Sequence, residues 1–191
     1  MGGAEVLTLA CNPQYKELTG QLAGIMTESA NIGFPPDNMP GGITVFVGRM
    51  AGKLLPHFPL KNEIPGERLT RDPEVMKDIK DDALCHSTGT LETLAALLDR
   101  AFALEKGDMR LNDNVRALWI AHGTADACTS FLGSKKFFEG QTHIADKTFK
   151  GYDGWSHMLH ADLPETRAVF AKDLGDWILE HVGGNEARAK L

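Results

Sequence analysis

Two short strand-like runs, separated by one helix-length segment, constrain the fold more than any other feature. Val115–Ala121 (VRALWIA) is an apolar run typical of a buried strand, and Lys147–Tyr152 alternates in polarity. Ser130–Glu139 between them is predicted to be a helix that Gly140 ends. A strand, a helix and a second strand joined by short links predict an α/β fold, in which helices cover a parallel sheet.

The rest of the sequence predicts further helices, several of them within a long middle segment. Residues of about 34–110 interrupt the alternation of strand and helix, and they are predicted to form a helical insertion in a single domain, residues 1–191. The other predicted elements are a helix over Glu5–Cys11, a strand over Leu22–Thr27, a loop over Phe34–Gly42, helices over Ile43–Leu55 and Leu91–Leu104, a helix beginning at Asp72-Pro73-Glu74, and a last helix capped by Asp162–Glu165 and ended by Gly183-Gly184.

Composition excludes several classes of function. The 191 residues carry a net charge of -6, which disfavours a nucleic-acid partner. No apolar run approaches the roughly 18 residues of a membrane span, and no signal peptide is predicted. Cys11, Cys85 and Cys128 are odd in number and scattered, which favours a reducing, cytoplasmic location over a disulfide framework.

Polar loops that carry an acid and a histidine follow the two strands. HGTAD, His122–Asp126, comes directly after the first, and GWSHMLH, Gly154–His160, after the second. The carboxyl ends of parallel strands share one edge of a sheet, so Asp126 and His157 are expected to meet there. An Asp that orients an imidazole base is two-thirds of a hydrolytic triad.

Each of these residues also has a simpler interpretation. Asp126 has a second possible role as a cap of the helix that follows it, and His157 as a structural loop histidine. His157, His160 and Asp162 suggest a metal site, although no further ligand cluster supports one, so no metal is predicted. Cys128 suggests a thiol nucleophile, but a small packing residue is the preferred interpretation.

The order of the triad in α/β-hydrolases directs attention upstream of Asp126. Their nucleophile serine lies in G-x-S-x-G, on a sharp turn between a strand and a helix, and this chain contains no such motif. Met1-Gly2-Gly3-Ala4 matches the back half of that turn without its serine. The glycines fit a position where close helix–strand packing leaves no room for side chains.

Several segments together resemble the C-terminal part of monoacylglycerol lipase-like α/β-hydrolases of the serine aminopeptidase S33 type. They are MGGAEVLTLA, HGTADACTSF, DKTFKGYDGWSHMLHADLPE and VFAKDLGDWILEHV. The resemblance implies that Asp126 is the triad acid and that His157, the first histidine of HMLH, is the base. It also implies that the backbone N–H of Met1 belongs to the oxyanion hole. In this alignment the nucleophile serine would stand just ahead of Met1.

The same resemblance implies that residues 34–110 form a cap over an acyl-binding pocket. The Ile43–Leu55 helix would then be a lid that contacts lipid, and the nearby Arg49, Lys53 and Lys61 suit adsorption to a lipid surface. The alternative is a helix that merely covers the core.

The implied activity is hydrolysis of acylglycerol or other lipid esters, without a metal or organic cofactor. The chain alone is expected to be inactive, because it lacks the serine and the first strands of the family's sheet. Two alternatives stay open: a non-catalytic remnant that binds lipid or a partner, and a hydrolase of the same fold that acts on a non-lipid ester or a peptide.

Overall fold

A three-stranded parallel sheet organises the molecule, which the computed structural model describes over residues 1–39 and 41–182. The strands are Ile25–Glu28 (β1), Pro59–Lys61 (β2), Thr88–Thr90 (β3), Ala117–Gly123 (β4) and Asp146–Tyr152 (β5). The helices are Gly2–Cys11 (α1), Lys16–Gln21 (α2), Gly42–Leu54 (α3), Gly66–Leu69 (α4), Pro73–Asp81 (α5), Leu91–Lys106 (α6), Phe131–Gly140 (α7) and Pro164–Val182 (α8).

The sheet runs in the order β1–β4–β5, and all its strands are parallel. Ile25 of β1 lies opposite Leu118, and Gly123 at the end of β4 lies opposite Tyr152 at the end of β5. The predicted α/β class is therefore confirmed. Because β4 and β5 end in register, the loops that follow them leave the sheet side by side.

The central strand β4 is buried along its whole length, which accounts for its continuous apolar sequence. Successive side chains point to opposite faces of the sheet. Leu118 and Ile120 join the cluster that contains side chains of α1, α6 and α7, whereas Trp119 packs on the other face, against Phe170 of α8 at 5.9 Å between ring centroids. Helices on both faces thus hold the sheet rigidly beneath its two carboxyl-end loops.

Helix α1 begins at Gly2, three residues ahead of the predicted start at Glu5, with Met1 as its N-cap. A Cβ at Gly3 would lie 3.0 Å from the Cβ of Ala30 and 3.4 Å from that of Thr27, so this glycine does permit close packing on the segment around β1. A Cβ at Gly2 would meet no described atom within 4 Å. Close packing against the described residues therefore accounts for Gly3 and not for Gly2.

The middle segment differs from the all-helical prediction in one respect. β2 and β3 pair antiparallel between the helices, with Leu60 opposite Gly89. These strands are too short for a periodic pattern to reveal them. The predicted loop over residues 34–42 contains one 3-10 turn, Pro36–Asn38.

The start of α8 differs from the prediction. The side chain of Asp162 does not cap this helix among the described contacts; it accepts hydrogen bonds from Arg71 instead. The predicted stop at Gly183 and Gly184 lies outside the described residues. Over the part of the chain that the structure covers, no helix combines the length and the apolar character needed to cross a membrane.

The two glycines of α1 provide a matched test of this packing. Gly2→Ala is expected to stabilise the protein by about 0.5 kcal/mol, because alanine loses less backbone entropy in a helix. Gly3→Ala gains the same term but is expected to be at least about 1 kcal/mol less stable than Gly2→Ala, because its methyl group overpacks against Ala30. Urea unfolding measures both changes, and equal effects of the two substitutions would contradict the packing described for Gly3.

Candidate active site

The loops after β4 and β5 cross each other directly. Backbone N–H groups of Thr124 and Ala125 donate to the carbonyl oxygens of Tyr152 and Trp155 at 2.9 and 3.1 Å. A Cβ at Gly123 would lie 2.5 Å from the carbonyl oxygen of Ser156 and closer still to that of Trp155. Because Gly123 has no side chain, the loop that carries His157 (Gly154–His160, the histidine loop) can pack directly on the loop that carries Asp126 (the aspartate loop).

This crossing brings Asp126 and His157 together. Their Oδ2 and Nδ1 atoms are 2.8 Å apart, a good hydrogen-bond distance. An ionised carboxylate can only accept, so Nδ1 carries the proton and Nε2 is the basic nitrogen of the neutral ring. The structure thus brings together the two side chains that the sequence predicts to meet, in the arrangement by which an acid orients an imidazole.

The Asp126 side chain is completely buried and accepts hydrogen bonds at both oxygens. Oδ1 accepts from the backbone N–H groups of Cys128 and Thr129 at 2.7 and 3.0 Å. Oδ2 accepts from the Thr129 hydroxyl at 2.8 Å, besides its bond to His157. The N-cap of α7 is Ser130, whose hydroxyl accepts a hydrogen bond from the Gly133 N–H. Asp126 therefore stabilises the turn that precedes the helix and does not cap the helix itself.

A second histidine contacts the same carboxylate, and the sequence analysis did not assign it a role. Nε2 of His122 lies 3.0 Å from Asp126 Oδ2, and its Nδ1 lies 2.8 Å from the Ser134 hydroxyl. His122 is fully buried at the end of β4. The available signal was a polar side chain inside an apolar strand, since a buried polar group requires a partner.

These contacts determine the ionisation of Asp126. Burial alone would raise the pKa of the carboxyl group, but hydrogen bonds and charge interactions with His122 and His157 outweigh burial and hold the pKa far below its ordinary range. Asp126 is therefore an anion at neutral pH, as an acid that orients an imidazole must be.

His157 lies at the wall of a cavity of about 560 Å³, and its side chain is 20% exposed. Its Nε2 atom makes no hydrogen bond with any residue in the part of the chain that the structure describes. Met1 and Thr129 line the same cavity, and most of its remaining wall is apolar, including Val45, Leu60, Leu91, Leu94, Leu97 and Leu98. The basic nitrogen is thus available at an apolar cavity of the size that small ligands occupy.

One group of side chains has the spacing of metal ligands, but its chemistry does not fit. Donor atoms of Asp126, Cys128 and His157 lie within 4.8 Å of one another. The Asp126 oxygens are already occupied by hydrogen bonds, and burial raises the pKa of the Cys128 thiol to about 11. The thiol lies 3.4 Å from the carbonyl oxygen of Arg68, to which it donates, so it is neither a thiolate nucleophile nor a ready ligand.

The alternative cluster of His157, His160 and Asp162 is not assembled. His160 Nδ1 lies 2.7 Å from Glu28 Oε1, and this hydrogen bond raises the pKa of the imidazole. Asp162 is bound by Arg71. Each member of the cluster therefore has a different partner.

Comparison with known proteins identifies the family of the chain. Residues 1–164 match the sequence model of the serine aminopeptidase S33 family. The chain belongs to this hydrolase family. A putative monoglyceride lipase of Schizosaccharomyces pombe is 27% identical over 181 residues, covering 95% of this chain and 46% of that protein. Caffeoylshikimate esterase of Arabidopsis thaliana is 32% identical over 124 residues, covering 63% and 36%.

A solved structure shows the same fold. A soluble variant of monoglyceride lipase from Saccharomyces cerevisiae, in complex with a substrate analog, superimposes with a TM-score of 0.80 at 20% identity, over 94% of this chain and 62% of that one. The chain spans less than half the length of the two curated relatives named above.

The depressed pKa of Asp126 predicts a pH-dependent loss of stability in Asp126→Asn. The ionised carboxylate stabilises the fold fully above the ordinary Asp pKa of about 4, and that contribution disappears as pH falls through the lower folded-state value. Near neutral pH the substitution is expected to cost about 2–4 kcal/mol, because Asn cannot accept all these hydrogen bonds. The cost should shrink below about pH 4.

Urea unfolding of both proteins between about pH 7 and pH 3 measures this difference. Glu139→Gln, at the exposed end of α7, is the control and should show no such trend. A cost of Asp126→Asn that does not fall as the pH is lowered from about 4 to about 3 would contradict the assignment.

Proposed function

We propose that this chain supplies the acid and the base of a serine ester hydrolase of the monoacylglycerol lipase type. Asp126 is the acid and His157 is the base. The nucleophile serine lies ahead of Met1 in the complete protein. The observation that carries the proposal is the 2.8 Å pair of Asp126 and His157 at the wall of an apolar cavity. Met1 lines the same cavity, which is the place the proposal requires for the residue after the serine.

In the proposed reaction the serine oxygen attacks the ester carbonyl carbon while His157 Nε2 takes the hydroxyl proton. The carbon–oxygen bond to the leaving alcohol then breaks, and His157 returns the proton to that oxygen, leaving an acyl-enzyme. Water repeats the sequence and releases the fatty acid. Asp126 keeps the proton at Nδ1 and stabilises the imidazolium, and the Met1 N–H supports the oxyanion. The mechanism uses no metal or organic cofactor.

The cavity wall supports an acyl chain as the substrate part that enters it. Leu91, Leu94 and Leu98 recur along one side of α6, and Val45 faces them from α3. A volume of about 560 Å³ lined mainly by aliphatic side chains favours an apolar ligand. Residues of about 34–110 are the cap in this proposal.

The face of α3 that points away from the cavity supports contact with a lipid surface. Ile43, Phe46 and Leu54 are 83%, 66% and 81% exposed, and α3 has no buried residue. This exposure does not fit a helix that merely covers the core. An exposed apolar stripe on one helix favours insertion at a membrane interface.

We place the protein in the cytoplasm, peripheral to lipid surfaces. Cys11, Cys85 and Cys128 are all free thiols, which supports a reducing compartment.

The catalytic proposal is tested on the protein encoded by the reading frame extended upstream of Met1. That extension is expected to end in G-x-S and to yield hydrolysis of a long-chain monoacylglycerol. His157→Gln should lower kcat by about five to six orders of magnitude and Asp126→Asn by about four, because each removes part of one proton relay. His160→Gln is the matched histidine control and should cost less than about tenfold.

Release of fatty acid measures these rates. Hydrolysis that survives His157→Gln would contradict the assignment. A longer protein that binds acyl ligands without hydrolysing them would favour the non-catalytic alternative.

Adsorption is tested by the double substitution Ile43→Ser and Phe46→Ser in this chain. Loss of two inserted side chains is expected to weaken partition onto phosphatidylcholine vesicles by at least about tenfold, since each buried apolar side chain contributes about 1.5–3 kcal/mol. Leu132→Ser, at a 73% exposed site on α7, is the control. Equal partition of both variants in a vesicle flotation assay would contradict the role of α3.

A further inference from the structure

Four consecutive residues, Leu69–Asp72, form hydrogen bonds with the histidine loop and the residues that follow it. We call this segment the clasp. The carbonyl oxygen of Leu69 accepts from the N–H of Met158, the residue that follows His157, at 2.8 Å. The Thr70 hydroxyl donates to the carbonyl oxygen of Ala161 at 2.6 Å. Thr70 is completely buried, so this bond is shielded from water.

The next residue of the clasp binds a buried carboxylate. Arg71 donates from its backbone N–H to Asp162 Oδ1 at 3.1 Å, and from Nε and Nη2 to Oδ2 at 2.9 and 2.6 Å. The Asp162 side chain is 0% exposed. The backbone N–H and the guanidinium of Arg71 together provide hydrogen bonds to both of its carboxylate oxygens. A buried carboxylate without its partner is strongly unfavourable, so the pair fixes the end of the histidine loop to the clasp.

The clasp is itself held in place. The Asp72 side chain accepts from the Glu74 N–H at 2.9 Å as the N-cap of α5, and from Arg167 of α8 at 3.2 Å. On the other side of His157, the Trp155 carbonyl oxygen accepts from the Ala125 N–H of the aspartate loop. His157 is therefore fixed on both sides along the chain, by the aspartate loop before it and by the clasp after it.

We propose that the clasp positions the His157 ring against Asp126, and that Arg71 and Asp162 are positioning residues for this base. Neither Arg71 nor Asp162 lines the cavity, and the pair acts through the histidine loop, whose Trp155 ring also lies 6.0 Å from the Arg71 guanidinium. Leu69 also lines the cavity, so the clasp joins the cap to the proposed catalytic base. This inference rests on the role proposed for His157.

The test is hydrogen exchange in the isotope-labelled chain, followed by NMR. Arg71→Met is expected to speed exchange at the Met158 amide and at the His157 Nδ1–H by at least about tenfold, because the loop opens locally without the guanidinium. Arg100→Met is the matched control, since Arg100 pairs with Glu5 at 3.4 Å and is 27% exposed, against 33% for Arg71. It should leave both sites unchanged.

If Arg71→Met fails to fold, the double variant Arg71→Met with Asp162→Leu removes both charges and carries the same expectation, because an apolar pair replaces the ionic one without leaving a charge unpaired. Exchange at Met158 and His157 that matches the parent protein would overturn the proposal. Exchange that rises equally in β4 would also overturn it, because the pair would then serve general stability. Absence of ester hydrolysis in the longer protein would count against the proposed function and leave this exchange result standing.

Discussion

The buried carboxylate of Asp126 is the interaction on which the rest of the site depends. Burial makes an anion costly, and five donors offset that cost: two backbone N–H groups, the Thr129 hydroxyl, His122 and His157. These donors come from β4, from the turn that follows it and from the loop after β5. The charge therefore organises both loops around itself, and the orientation of the His157 ring is one result of that organisation.

The sheet makes this convergence possible. β4 and β5 end at paired residues, so their loops start side by side, and Gly123 lets one backbone lie on the other. Helices on both faces hold the strands, and the clasp, which belongs to the middle segment of the chain, contacts the loop after β5 at the same edge. Three separate parts of the sequence thus meet at one histidine, and the cavity beside it is lined mainly by apolar side chains, with more of them from α6 than from any other element.

The α/β class and the meeting of Asp126 with His157 were predictable, because strand periodicity is local and parallel strands share one edge for their carboxyl ends. The contact of His122 with Asp126 was not assigned, since periodicity shows that a strand position is buried but not which partner it meets. The pair of Arg71 and Asp162 joins residues 91 positions apart, and no local pattern encodes that distance. The β2–β3 pairing was missed because three-residue strands carry too little periodicity, and the open space at Gly2 is a property of packing alone.

The distance between Asp126 Oδ2 and His157 Nδ1 in a crystal structure of this protein tests the central claim most directly. A hydrogen-bonded separation near 2.8 Å, with the histidine ring at the wall of the apolar cavity, is the predicted result. A separation beyond about 6 Å, with no other acid beside the imidazole, would contradict the account, because an acid at that range cannot fix the tautomer of the base.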